Sequence, residues 1–220
     1  MFGTRLPLAV RFAEILADTG VSHGLIGPRE VPRLWDRHVL NCAVIQDAFP
    51  PDARLVDVGS GAGLPGVALA IARPDVEVHL VEPMLRRTQW LEEVVTELEL
   101  GSVTVHRGRA EDLAGTLSAP WVTARAVARL DKLARWCVPL LSPDGTLVAM
   151  KGRSAAEELE QDGPALKRLG LTSGRVTEHG GDVLEEPVLT VDLRFEPMAR
   201  RAGKSRSSGR TARRPGAAAS

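Results

Sequence analysis

Leu55-Val56-Asp57-Val58-Gly59-Ser60-Gly61-Ala62-Gly63-Leu64-Pro65-Gly66 decides the fold of this chain. It begins as an apolar, β-branched run and ends in alternating glycines and a proline. Residues 54–58 therefore read as a strand and 65–72 as a helix, with proline near the start, where a missing N–H costs little. Between them, glycines at every second position remove Cβ atoms where the chain turns. The backbone there is free to take positive φ and to approach a ligand closely. The helix that follows presents free N–H groups.

Outward from this turn the pattern repeats. Residues 77–82 read as a strand, 84–98 as a helix, 103–106 as a strand, 111–117 as a short helix and 121–125 as a strand. Residues 130–141 read as a helix closed by the turn Ser142-Pro143-Asp144-Gly145. Residues 146–151 follow as a strand, 155–169 as a helix, and 175–179 and 188–195 as two last strands around a Gly-Gly-Asp turn. Strands alternating with helices predict an α/β fold: a mostly parallel seven-stranded sheet with helices on both faces and right-handed crossovers. The short link between the last two strands predicts an antiparallel edge strand. Upstream, 6–18 places Leu8, Phe12, Ile15 and Leu16 on one helical face, and 34–47 reads as a second helix after Pro28 and Pro32. These are expected to cap the same core. The expected organisation is one domain over 1–198, with a helical cap at about 6–47 and a Rossmann-like core at about 54–196, followed by a tail, 199–220.

Charge separates the tail from the rest. The 220 residues carry 28 Lys+Arg and 28 Asp+Glu. Seven of the basic residues, Arg200, Arg201, Lys204, Arg206, Arg210, Arg213 and Arg214, lie in 199–220 with no acid, leaving 21 basic against 28 acidic residues, a net −7, in 1–198. The tail is rich in Gly, Ser, Ala and Arg and reads as disordered, because it has too little apolar surface to offset the entropy of ordering. Such a tail is suited to RNA phosphates, and equally to solubility alone. No apolar run approaches a membrane span, and the first ten residues show no secretory signal. Cys42 and Cys137 are far apart and make neither a disulfide framework nor a metal cluster, so no metal is expected and a cytoplasmic location is.

Two readings of the glycine loop compete. Gly61 to Gly66 matches G-x-G-x-x-G, the dinucleotide fingerprint. Asp57 to Gly63 matches acidic-x-G-x-G-x-G, the loop of S-adenosylmethionine-dependent methyltransferases. Asp57, two residues before the first glycine, suits a cofactor with a cationic aminoacyl end and suits pyrophosphate poorly. Glu82, at the end of the second strand, has two oxygens for two ribose hydroxyls, or serves only to cap the next helix. Gly108-Arg109-Ala110-Glu111-Asp112, after the third strand, stands where adenine contacts are made, or simply starts a helix.

The chain resembles the bacterial small-subunit (16S) ribosomal RNA guanine-N7 methyltransferases, the glucose-inhibited division protein B family. Leu64-Pro65-Gly66 after the loop is the distinguishing part. Further matches are Arg37-His38-Val39-Leu40-Asn41; Glu82 with Arg86-Arg87-Thr88-Gln89-Trp90-Leu91; Arg109-Ala110-Glu111; Thr123-Ala124-Arg125-Ala126-Val127-Ala128; and Met150-Lys151-Gly152. They keep a consistent order over roughly residues 8–195, with Thr123 and Asn41 departing from the usual Ser and Asp. The resemblance implies a Rossmann-like fold, S-adenosylmethionine as cofactor, S-adenosylhomocysteine as product, and methylation of one guanine of a decoding-site stem-loop, presented by a small-subunit particle. Carried over, the cofactor residues are Gly59, Leu64, Glu82, Ala110, Glu111 and Arg125, beside Asp57, Gly61 and Gly63 from the loop itself.

The chemistry has its own logic. Guanine N7 offers a lone pair and carries no proton, so in-line displacement at a sulfonium methyl needs no general base. Alignment is worth about 7–11 kcal/mol. Accordingly, no Asn/Asp-Pro-Pro-aromatic motif and no Pro-Cys nucleophile follow the fourth strand, and no residue is singled out as catalytic. Arg125 and Lys151 end neighbouring strands, so both are candidates to position substrate, by guanine O6 or flanking phosphate. His38 is a third. Arg125 is equally suited to a cofactor carboxylate, Lys151 to a surface strand end, and His38 to a structural role. The other functions compatible with the sequence are a methyltransferase of a small molecule or protein, a nicotinamide dehydrogenase, and an RNA-binding module without turnover.

Overall fold

The computed structural model describes residues 1–125 and 128–196. The tail 199–220, the expected domain end at 198 and the dipeptide 126–127 lie outside them. Seven strands form one sheet: β1 (Arg54–Val58), β2 (Glu77–Glu82), β3 (Val103–Arg107), β4 (Ala119–Arg125), β5 (Leu141–Lys151), β6 (Leu171–His179) and β7 (Val188–Phe195). Their order is β3-β2-β1-β4-β5-β7-β6. β1 to β5 pair in parallel, and β7 is antiparallel to both of its neighbours. Strand order reverses between β1 and β4, which places a ligand crevice beyond their carboxyl ends.

The antiparallel strand was expected at the edge and is internal instead. β7 lies between β5 and β6, and β6 takes the edge. The two strands differ in what they must bury. β7 has Val188, Thr190, Val191, Asp192, Leu193 and Phe195 buried, whereas β6 has no buried residue. The more apolar strand takes the doubly covered place.

Each sheet face has its own helices. On one side α1 (Leu6–Ile15), α2 (Asn41–Ala43), α3 (Gly66–Ala72) and α4 (Leu85–Glu97) bury Phe12, Leu16, Ile45, Leu69 and Leu91 with Leu55 and Leu80 of the sheet. On the other, α5 (Leu130–Cys137) and α6 (Ala155–Arg168) bury Leu133 and Leu166 with Val56, Val122 and Leu193. Leu55 and Val56 serving opposite cores is the two-residue period of a strand. Trp90 Nε1 of α4 donates to Thr19 Oγ1 at 2.9 Å and ties the N-terminal helices to the first face.

Three local expectations change. Residues 34–47 are helical but not one α-helix: a wide turn, Trp35–Leu40, leads through α2 into a 3₁₀ turn, Val44–Ala48. Residues 111–117 form a series of turns rather than a helix. Gly115 there takes φ +85°, and seven residues make too few hydrogen bonds to offset nucleation. The turn at 142–145 is absorbed into β5 as an irregularity, where pairing with β4 jumps from Ala119↔Leu141 to Trp121↔Thr146 and Asp144 takes φ +62°.

Candidate active site

The glycine turn closes on itself. Gly59, Gly61 and Gly63 all have positive φ, 74°, 52° and 75°. The N–H groups of Gly59 and Ser60 donate to Val81 O at 2.9 and 3.2 Å, and those of Gly63 and Leu64 to Ser60 O at 2.7 and 3.2 Å. Gly61 N–H donates to Glu82 Oε2 at 3.1 Å. Asp57 is fully buried below the turn. Its Oδ2 accepts Gly66 N–H at 3.0 Å, and its Oδ1 has no hydrogen-bond partner. Burial pushes the Asp57 carboxyl up to about 7, against the lowering by Gly66 N–H, Ser60 and the Arg125 charge. Gly66 is required for close packing: a Cβ there would lie 2.3 Å from Leu80 Cδ2 and 2.8 Å from Asp57 Oδ2.

Glu82 joins three strand ends. Its Oε2 holds the turn after β1, and its Oε1 accepts Met84 N–H at 3.0 Å, at the start of α4. Its main-chain oxygen accepts Gly108 N–H at 3.2 Å, from the loop after β3. The bond from Met84 N–H fixes the residue before α4 rather than capping the free N–H groups of the helix, and it leaves carboxylate lone pairs over, since two oxygens offer about four acceptor sites. Above Glu82 opens a cleft of about 370 Å³, within the range of small-ligand sites. Gly59, Glu82, Ala110 and Glu111 line it. Gly61 and Gly63 belong to the turn and Asp57 lies beneath it, and none of the three is in the lining. The Leu64 side chain packs in the core, and its N–H is already used.

Arg125, expected among the cofactor residues, is not in the lining of that cleft and opens on a second one, of about 470 Å³, with Arg37, Asn41, Lys151 and Arg153. Arg125 Nη2 lies 2.7 Å from His38 Nδ1 and Nη1 lies 3.1 Å from Cys42 Sγ. His38 Nε2 lies 3.0 Å from Glu30 Oε2. His38 and Arg125 are thus brought together, by a contact spanning 87 residues of sequence. Lys151 sits apart from that contact. Its ammonium donates to Ala128 O at 2.7 Å and pairs with Glu158 Oε2 at 2.9 Å. It is no bare strand end but a tie between β5, α6 and the loop before α5. Glu158 Oε1 and Asp162 Oδ2 accept the N–H groups of Leu130 and Asp131, so α6 supplies the N-terminal cap of α5.

Several residues escape sequence reading. Met84 and Trp136 line the first cleft, beside Arg87 of the motif after Glu82; Arg87 Nη1 lies 3.7 Å from Glu82 Oε2. Met84 sits beside Glu82 and was within reach of a sequence argument. Trp136 arrives from α5, on the opposite face, and nothing local announces it. Glu30, Cys42 and Glu158 hold the expected side chains from a distance. Cys42 and Cys137 are both buried, and burial raises both thiols, Cys42 to about 11. Neither is a poised nucleophile.

Solved methyltransferase structures share this architecture. An S-adenosylmethionine-dependent O-methyltransferase of Thermotoga maritima aligns at a TM-score of 0.51 and 15% identity, over 76% of this chain and 70% of that one. M. jannaschii TYW2, in complex with AdoMet, aligns at 0.53 and 18% identity, over 73% and 74%. At such identities the likeness is one of fold. Sequence relatives go further. The family model GidB, rRNA small subunit methyltransferase G, matches residues 5–182. The ribosomal RNA small subunit methyltransferase G of Thermobifida fusca is 50% identical over 216 residues, covering 98% of this chain and 91% of the relative. That of Salinispora arenicola is 52% identical over 219 residues, covering 95% and 90%. That of Pseudarthrobacter chlorophenolicus is 54% identical over 193 residues, covering 88% and 89%. The likeness thus runs through the glycine turn, Glu82 and the Arg125 cleft alike, and the chain belongs to the rRNA small subunit methyltransferase G family.

Proposed function

We propose that this protein transfers the methyl group of S-adenosylmethionine to N7 of one guanine in small-subunit (16S) ribosomal RNA. One observation supports the cofactor above all. The N–H groups of Gly59, Ser60, Gly61, Gly63 and Leu64 are all consumed inside the protein, and the carboxylates of Asp57 and Glu82 stand against the turn. A diphosphate needs free donors and no carboxylates here. An adenosyl group with a cationic end fits instead. Asp57, buried and with one oxygen unpartnered, is stabilised as an anion by a nearby ammonium. Glu82 offers its remaining lone pairs to two ribose hydroxyls. Ala110 and Glu111 border the adenine end of the cleft, Gly59 forms part of its floor, and Gly61, Gly63 and Leu64 act indirectly, by shaping the turn that carries it. Bound there, S-adenosylmethionine supplies a methyl group activated by a sulfonium.

The remaining residues fit chemistry that needs alignment rather than proton transfer. The Arg125 guanidinium donates to His38 Nδ1, so that nitrogen is an acceptor and the ring is neutral. Burial and the Arg125 charge hold the imidazole below its ordinary range, consistent with that state. Lys151 is paired with Glu158. Neither is a free base, and N7 needs none. Arg125 brings positive charge to the second cleft, beside the paired Lys151, and guanine O6 or phosphate is held there while N7 stays open.

The same reading takes 1–198 as one domain acting in the cytoplasm on a small-subunit particle, with 199–220 on RNA phosphates. Among the described residues no helix is long and apolar enough to cross a membrane. The deciding experiment is mass mapping of 16S rRNA from a strain lacking this gene. One guanine must lose one methyl group and regain it on complementation. Unchanged rRNA would redirect the search to a small-molecule or protein acceptor. Removing 199–220 is expected to leave S-adenosylhomocysteine affinity intact and to flatten the salt dependence of RNA binding by about 5 in log–log slope, at about 0.7 per phosphate. An unaltered slope would retire the tail as an RNA contact.

A further inference from the structure

We infer that Glu30 is a positioning residue for RNA binding, acting through His38 to fix the direction of the Arg125 guanidinium in the second cleft. The inference rests on the reading of Arg125 as an RNA contact and adds a residue that neither sequence motif nor cleft lining singles out.

Hydrogen-bond direction carries the argument. Arginine only donates. Arg125 Nη2, 2.7 Å from His38 Nδ1, therefore requires a lone pair on that nitrogen. The ring proton is then on Nε2, which donates to Glu30 Oε2 at 3.0 Å. Glu30 thus selects the tautomer that accepts from Arg125. Nη1 donates to Cys42 Sγ at 3.1 Å, and Nη2 also faces Arg37 O at 3.4 Å. The partners of Arg125 are a neutral ring, a thiol and a carbonyl. No carboxylate among the described residues pairs with it.

That choice of partners has a purpose. A carboxylate in direct contact would orient Arg125 equally well and neutralise it. Placing the carboxylate one ring away keeps the orientation and leaves the charge available to an anionic ligand. The charged groups around His38 agree: Glu30 comes from Pro28–Arg33, Arg37 from the same turn as His38, and Arg125 from β4. Arg37 Nη1 also lies 3.6 Å from Glu30 Oε2, so one carboxylate serves two cationic side chains of the cleft.

The test uses the full-length protein and unmodified 16S rRNA from a strain lacking this gene, with RNA affinity by filter binding and S-adenosylhomocysteine affinity by calorimetry. Glu30→Ala is expected to weaken RNA binding about tenfold and to leave cofactor affinity within about twofold. Glu30→Gln is expected to stay close to wild type, because its amide oxygen accepts the same ring N–H. In an Arg125→Ala background Glu30→Ala should lose most of its effect, since only the looser contact with Arg37 is left for Glu30 to hold. RNA affinity unmoved by Glu30→Ala, or an equal loss with and without Arg125, would overturn the inference. RNA affinity unmoved by Arg125→Ala alone would instead overturn the reading beneath it. Thermal unfolding run alongside identifies a misfolded Glu30→Ala. In that event Glu30→Asp, too short to reach the ring, replaces it with the same expected loss.

Discussion

The cleft around Glu82 is built on turns that each follow directly on a strand and are held by main-chain hydrogen bonds, with Arg87 and Trp136 added from helices. The cleft around Arg125 is made of side chains, brought from the N-terminal helical segment, β4 and β5. In the first, hydrogen bonds run from backbone N–H groups to carbonyls and two carboxylates. In the second, they run between side chains, from Glu30 through His38 to Arg125 and from Lys151 to Glu158. A main-chain site takes its shape from residues without side chains. A side-chain site depends on pairs, each of which fails when one member is lost.

The largest effect expected from that contrast is on stability. Lys151→Met strands Glu158, whose side chain is 17% exposed, beside the N-terminus of α5. Breaking such a pair from one side costs about 3 kcal/mol or more. Urea unfolding measures it, and a loss under about 1 kcal/mol would show that the second cleft does not rest on this pair. The first cleft should respond in binding instead. Gly59→Val forces a β-branched residue into φ 74°. It should weaken S-adenosylhomocysteine on the order of a hundredfold, from about 3 kcal/mol of strain. Calorimetry that found the affinity within about fivefold would mean that the turn does not set the floor of the cleft.

Glu82→Gln removes the charge and, because an amide nitrogen cannot accept, also gives up the bond from either Gly61 N–H or Met84 N–H. Charge-assisted bonds of about 1.5–3 kcal/mol each put the loss at roughly 10- to 100-fold in cofactor affinity, with RNA affinity unmoved. Parallel losses in both would erase the distinction between the clefts. The smallest effect is one of pH. With its carboxyl at about 7, Asp57 is protonated in the free protein below neutrality. A ligand ammonium favours the ionised form, so binding releases a proton. Affinity for S-adenosylhomocysteine should rise as pH increases, by at most about tenfold per unit below 7, and level off above it. Methylthioadenosine, which lacks the ammonium, should show no such slope. Calorimetry in buffers of different ionisation heat would count the proton, and identical heats in all of them would exclude Asp57 as its source.

What was legible in the sequence follows the same division. The places of the β1 turn, Glu82 and Gly108 to Glu111 around one cleft could be read because each lies within a few residues of a strand end. His38, Arg125 and Lys151 could be named as residues, but not their partners, which are many residues away. The internal place of β7 was hidden for a related reason. A short link shows that two strands are antiparallel, and only their relative burial decides which of them lies outside. The lost helix at 111–117 shows the limit of propensity in a short segment that contains a glycine.

The placement of β7 also bears on how this protein is made. β5 is synthesised well before β7, and it is β7 that covers it. Until residue 195 has left the ribosomal tunnel, a nascent chain carries uncovered those N–H and C=O groups of β5 that face away from β4. Half-made molecules of this kind invite pairing with one another and with chaperones. Translation that stalls between 151 and 188 should therefore yield aggregates rather than a smaller working enzyme.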